Sequence, residues 1–297
     1  MSFALPGFNL RAVETGETQI AIAEAGAGGR PLLLLHGHPQ TKATWHRVAP
    51  TLVEAGFHVV LADLRGYGDS GRPADTDAHA TYGKRAMARD QIATMRALGH
   101  DRFAVVAHDR GARVAHRLAL DHPASVERVV MIDAVPTQSM YERTDQDFAT
   151  RYFWWFFLIQ PAPLPETLIG RDPAFYLERH IAGQLKTPGA TTPEIFTEYL
   201  RCYTRPGTIH AICEDYRAGA TLDLAEHRAD RAAGRRIAAP LLALWGARGS
   251  LPRLFDIPTE WRRDASDVRG EALDCGHTLQ EEAPGALLAA LLPFLTE

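Results

Sequence analysis

Apolar positions in the first 135 residues fall in short continuous runs. Pro31–Leu35, His58–Leu64 (HVVLADL) and Phe103–Ala107 (FAVVA) are the clearest, and Val126–Ile132 (VERVVMI) reads as the next strand. Successive strand side chains point to opposite faces, so a continuous apolar run must be covered on both sides. Such runs predict strands of a buried parallel sheet. Lys84–Leu98 and Arg110–Asp121 between them predict helices. The rhythm returns late, with strands at Pro240–Trp245 (PLLALW) and near Gly270–Asp274, then a terminal helix at Pro284–Phe294. Strands alternating with helices predict a doubly wound, mostly parallel α/β sheet.

Between about residues 135 and 235 the rhythm breaks. This stretch is rich in aromatics, holds the proline cluster QPAPLPE (160–166), and has a helical pattern at Glu194–Cys202. It predicts a helical cap (136–235) inserted after the sixth core strand, with the core made of 1–135 and 236–297. A lid there would cover the strand ends, where open α/β sheets bind ligands.

At 297 residues, one large α/β core with an insertion fits the length. A net charge of −4 argues against a nucleic-acid surface but permits a local basic pocket. The three cysteines, Cys202, Cys213 and Cys275, form no CxxC, which points away from disulfides and zinc ribbons and toward a reducing cytoplasm. Met1–Arg11 shows no signal-peptide pattern, and the aromatic run Tyr152–Ile159 is too short to span a bilayer. A cytoplasmic protein with no membrane partner is expected.

Three motifs fall at the predicted strand ends. Ala107-His108-Asp109-Arg110-Gly111 has the small–x–nucleophile–x–small outline of the elbow found in α/β-hydrolases, with Asp109 at its centre. A plain helix N-cap would also use this aspartate. Leu35-His36-Gly37-His38-Pro39 follows a strand. In such hydrolases this loop gives one backbone N–H to an oxyanion hole, here that of His38, and the residue after the nucleophile, Arg110, gives the other. The loop also reads as an ordinary Gly-Pro turn. As metal ligands, His36 and His38 lack a third partner nearby, and no metal is expected.

The third motif, Asp274-Cys275-Gly276-His277, puts His277 after the last strand, the address of the catalytic base. The strand ending at Trp245 is followed by Gly246-Ala247-Arg248-Gly249-Ser250, with no carboxylate. The strand before the cap ends in Ile132-Asp133-Ala134, so Asp133 is the expected acid and Asp256 the fallback. Arg110 and Arg113, three apart, share one helix face beside Asp109. Gly66–Gly71 matches GxGxxG, but the loop-like Arg72-Pro73-Ala74-Asp75 follows instead of a helix, so no dinucleotide is expected.

Taken together, these residues resemble the haloacetate dehalogenase family, including its fluoroacetate dehalogenases. The similarity runs along nearly the whole chain: HGHPQT (36–41), WHRVAP (45–50), ADLRGYGDS (62–70), HDRGARV (108–114), QPAPLPE (160–166) and CEDYRAGA (213–220). The HGxP, HDxG and GH motifs are shared with haloalkane dehalogenases and epoxide hydrolases; the arginines and cap segments narrow the match.

The resemblance implies cofactor-free chemistry. Asp109 displaces halide from a small 2-haloacid, and His277 then activates water to hydrolyse the Asp109 ester, releasing a product such as glycolate. A carboxylate suits both steps, since its ester is cleavable, whereas a serine would give an ether. Arg110 and Arg113 would clamp the substrate carboxylate as planar charged forks; an ion pair with a cap carboxylate is their other use. Trp155 and Tyr216 would hold the halide. Trp154 stands where fluoroacetate enzymes carry histidine, which turns the expectation toward chloroacetate or bromoacetate; an aromatic core stripe is its other use. The alternative, an epoxide hydrolase, needs two cap tyrosines, for which Tyr216 and Tyr152 are candidates. A small-molecule receptor would have no need of a nucleophile with a matched base. The resemblance also allows a homodimer through the cap.

Overall fold

The computed structural model describes residues 4–75 and 77–297; the first three residues of the Met1–Arg11 stretch lie outside them. Eight strands form one sheet: β1 (Asn9–Glu14), β2 (Gln19–Ala25), β3 (Arg30–Leu35), β4 (Phe57–Ala62), β5 (Phe103–His108), β6 (Val126–Ile132), β7 (Leu241–Gly246) and β8 (Val268–Leu273). Their spatial order is β1-β2-β4-β3-β5-β6-β7-β8. β1 and β2 form an antiparallel edge, and β4 through β8 run parallel. This is the α/β-hydrolase architecture that the sequence predicts. The edge hairpin escaped the sequence reading because β1 is exposed at all but one position, leaving no apolar run to detect.

The continuous apolar runs serve two cores. Leu33, Leu35, Val105, Ala107, Val129 and Met131 face one hydrophobic cluster, and Leu32, Leu34, Ala104, Val106, Val130 and Ile132 face the other. The first cluster packs on the helices Lys84–Ala97 and Arg110–Asp121; the second takes in Trp45 and the terminal helix Pro284–Thr296. The parallel register aligns Leu35 with Ala107, His108 with Ile132, and Ile132 with Leu244. The loops bearing His38, Asp109 and Asp133 therefore leave the same edge of the sheet.

Between β6 and β7 the chain is helical, from Thr137–Glu142 to Leu222–Ala232. Trp155, Leu158, Ile195, Tyr199 and Tyr216 from these helices belong to the same cluster as the first sheet face. The cap thus shares one continuous core with the sheet. All three cysteines are buried and free. Among the described residues no helix is long and apolar enough to cross a membrane.

Candidate active site

β5 ends at His108, and the chain reverses sharply into the helix Arg110–Asp121. Asp109 at the turn has φ 47° and ψ −110°, a conformation costing an L-residue roughly 1–3 kcal/mol. Close approach of two loops makes the small residues of the motif necessary. A Cβ on Gly111 would lie 2.5 Å from the His36 carbonyl oxygen, and one on Gly37 would lie 2.5 Å from Asp109 Cβ. The Asp109 side chain makes no capping hydrogen bond to its helix. Its Oδ1 instead accepts the His38 backbone N–H at 3.0 Å. His36 holds this loop: its Nδ1 donates to the Gly37 carbonyl at 2.9 Å, and its Nε2 accepts the Leu64 N–H at 3.1 Å. With both nitrogens so used, His36 is a structural post.

Asp133, just past β6, also has positive φ, 45°. Its Oδ1 accepts the Gly246 N–H at 3.0 Å, and its Oδ2 accepts from His277 Nδ1 at 2.5 Å. His108 Nε2 donates to the His277 carbonyl at 2.9 Å, fixing the backbone of the histidine loop. Asp256, by contrast, is exposed and caps the helix Ile257–Arg262 through the Thr259 N–H. The fallback acid is therefore away from the site.

Electrostatics bind these groups together. Burial raises the Asp109 carboxyl, but the charges of His277, His108, Arg113 and Arg110 outweigh it and hold it well below the usual carboxylate range. Burial opposes charge on His277, yet the Asp133 hydrogen bond and charge, followed by the charge of Asp109, raise its pKa above the ordinary histidine value. A carboxylate kept ionised beside an imidazole of raised basicity can act as nucleophile with a general base.

The two arginines differ. Arg110 forks onto Asp215 of the cap, with Nε to Oδ2 at 2.9 Å and Nη2 to Oδ1 at 2.8 Å. Asp215 also receives Tyr67 Oη at 2.7 Å and the Lys84 ammonium, which lies 3.4 Å from Asp223 as well. Arg110 thus has a cap carboxylate as its partner, the other use the sequence allowed for it, since a buried cation left without one would be costly. Arg113 donates only to neutral groups, the Val135 carbonyl and Thr137 Oγ1, both at 3.0 Å, and its Nε has no partner. No carboxylate lies within ion-pair distance of it among the described residues. Burial first, then Arg110, lowers its pKa to about 10. The charge of Asp109 works the other way, and Arg113 remains a cation without a directly bonded carboxylate.

The cap closes over Asp109 with aromatic rings. Trp155 packs against Arg113, whose guanidinium lies 4.5 Å from a ring centroid, and edge-on to Tyr216 at 6.0 Å. Arg110 stacks over Tyr216 at 4.1 Å. Trp154 is half-buried and lines a cavity of about 180 Å³ with Asp133, Tyr152, His180, Gln184 and His277. It is thus a wall of that cavity as well as part of the aromatic packing. Sequence reasoning missed His180, Asp215 and Lys84. His180 carries no motif, and Asp215 and Lys84 become informative only once the cap folds down onto the core.

The α/β-hydrolase fold family matches residues 30–284. The chain is 42% identical over 293 residues to a fluoroacetate dehalogenase from Burkholderia sp., covering 98% of this chain and 95% of that protein. It is 33% identical over 272 residues to a soluble epoxide hydrolase from Corynebacterium sp. (strain C12), covering 90% of each. A solved Salmonella enterica structure, provisionally named an acyltransferase, superposes with TM-score 0.96 at 53% identity, covering 99% of this chain and 98% of its own. With its sheet, its strained elbow and its histidine loop, this chain belongs to the α/β-hydrolase family, as a fluoroacetate dehalogenase-like hydrolase.

Proposed function

We propose that the protein hydrolyses the carbon–halogen bond of small 2-haloacids through an ester on Asp109. The observation that carries this is Arg113: a buried guanidinium without a carboxylate partner, beside a carboxylate nucleophile. An anionic substrate supplies the missing charge and brings its α-carbon to Asp109. Arg110, already paired, contributes its fixed dipole and backbone N–H.

The hydrogen bond from His38 to Oδ1 supports a division of labour between the two carboxylate oxygens. Oδ1 sits in the oxyanion hole, so Oδ2 is free to attack. The Oδ2–carbon bond forms as the carbon–halogen bond breaks, and the halide leaves with the bonding pair. His277 then takes a proton from water, and the resulting hydroxide attacks the ester carbonyl. Negative charge gathers on Oδ1, where the N–H groups of His38 and Arg110 stabilise it. The alkyl C–O side of the ester departs as an alkoxide that takes the proton back from His277, the 2-hydroxy acid leaves, and the re-formed Asp109 carboxyl loses its remaining proton to solvent. Esterification removes the Asp109 charge, one of the influences that raise the His277 pKa. The imidazole therefore becomes easier to hold neutral at the stage when it must act as a base.

Single turnover in heavy-oxygen water tests the pathway. Water attacks the protein carbonyl, so the label should enter Asp109 and be absent from the first-turnover product. Label passing directly into product would overturn it.

A second reading, epoxide hydrolysis, is favoured by one observation. Two cap phenols border the candidate site: Tyr152 lines the cavity that also holds Asp133 and His277, and Tyr216 packs on Arg110 and Trp155. Opening of a neutral epoxide without halide release from chloroacetate would select this reading.

A further inference from the structure

The loop that carries His277 is joined to the cap by the glutamates that follow it, Glu281 and Glu282. Glu282 turns its carboxylate back onto the loop. Its Oε2 accepts the Gly276 N–H at 3.0 Å and its Oε1 the Thr278 N–H at 3.1 Å, so one side chain grips the backbone on both sides of His277. Oε2 also accepts the Lys186 N–H from the cap at 2.8 Å. Beside it the His277 N–H reaches the Gln184 carbonyl oxygen at 3.4 Å. The approach is close. A Cβ on Gly276 would lie 2.6 Å from that Gln184 oxygen and 2.7 Å from Glu282 Oε1, so only glycine fits there without displacement.

Glu281 is fully buried and fastens the surroundings. Its Oε1 accepts from Thr44 Oγ1 at 2.7 Å and Tyr199 Oη at 2.5 Å, and its Oε2 accepts from Thr191 Oγ1 at 2.5 Å. Thr44 lies just past the loop of His38, and Thr191 and Tyr199 belong to the cap. The cap therefore has an anchor on the core that does not depend on Glu282.

On the haloacid reading, Asp109 attacks from its own elbow and needs no help from this loop. Hydrolysis of its ester does need it, because the His277 ring must be held within reach of a water. Asp133 fixes the ring through Nδ1, and His108 fixes the His277 carbonyl. Glu282 completes the hold by taking the N–H groups before and after the base. Resting on that reading, we propose that Glu282 is a positioning residue for the base: it holds the His277 loop against the cap, and through the loop it sets the ring for ester hydrolysis but not for halide displacement.

Glu282→Gln keeps the size of the side chain. Its single amide oxygen has two lone pairs for three N–H donors, and the new NH2 group faces a donor. At saturating chloroacetate the first halide should appear within about twofold of the wild-type rate, while steady-state turnover should fall roughly tenfold. The amplitude of the first turnover counts competent sites, so a partly unfolded variant is still read per site. Gly276→Ala, whose methyl group pushes on both Gln184 and Glu282, should show the same selective loss. Equal losses in both steps, or none, would overturn the proposal. Amide hydrogen exchange followed by NMR needs no turnover. The Gly276 and Thr278 amides should exchange at least about tenfold faster in Glu282→Gln than in the wild type, and equal rates would overturn the proposal. If the wild type releases halide from no haloacetate, the haloacid reading fails, while the exchange rates still decide whether Glu282 holds this loop.

Discussion

Replacing His277 by Asn should separate the two halves of the reaction. The variant removes the base but leaves Asp109 ionised, because Arg113 and Arg110 still favour its charged form. Alkylation needs no base, so the first halide should appear within about tenfold of the wild-type rate. Hydrolysis of the ester does need one, and general-base catalysis is worth roughly 10²–10⁴-fold. Steady-state turnover should therefore fall by about 10³-fold, leaving a burst of one halide per protein. Stopped-flow halide detection would measure the burst. Intact-protein mass spectrometry after chloroacetate should show a gain of about 58 Da, a carboxymethyl ester, and peptide mapping should place it on Asp109. A variant that loses the burst together with turnover, or carries the adduct elsewhere, would refute the assignment of His277 as base for an Asp109 ester.

Three further outcomes follow from the geometry. Asp215→Asn leaves Arg110 and Lys84 short of a buried counter-charge; a penalty of about 3–5 kcal/mol, spread over a chain of this length, should lower Tm by roughly 5–8 °C in calorimetry. An unchanged Tm would mean that the ion pair adds nothing to stability. Gly37→Ala puts a methyl group 2.5 Å from Asp109 Cβ, and the resulting displacement of the nucleophile should cut kcat by roughly 10²-fold, more than any loss of stability would explain. For pH, the raised His277 pKa stabilises the fold below the ordinary histidine value of about 6.5, and this stabilisation disappears as pH rises through the folded value. Activity runs the other way, because the base must be neutral. NMR titration of His277 in the free enzyme should give a midpoint above 6.5, and the ascending limb of kcat should lie below that midpoint, since the Asp109 charge is gone in the ester. Coincident midpoints would contradict the electrostatic role given to Asp109.

The sequence alone determined the parallel part of the sheet, the helical stretch within it and the chemistry-bearing loops, but not the antiparallel edge hairpin. Val129–Ile132 and Phe103–Ala107 are apolar at successive positions because both faces of a central strand are buried there, and this signal is local. Asp109 and Asp133 were legible because each follows such a strand, and His277 because its motif follows the weaker last strand, at the edge where a parallel sheet gathers its loops. Beyond reach were relations between side chains distant in the chain. The spacing of Arg110 and Arg113 makes them look alike, yet Asp215, 105 residues after Arg110, engages one and leaves the other without a carboxylate. His180 reads as one more residue on an amphipathic helix until the cap folds down and sets its ring against His38. Periodicity and turn chemistry are written residue by residue. The pairing of buried charges and donors exists only where two elements meet, and there tertiary structure alone decides which group is satisfied and which is left to meet a ligand.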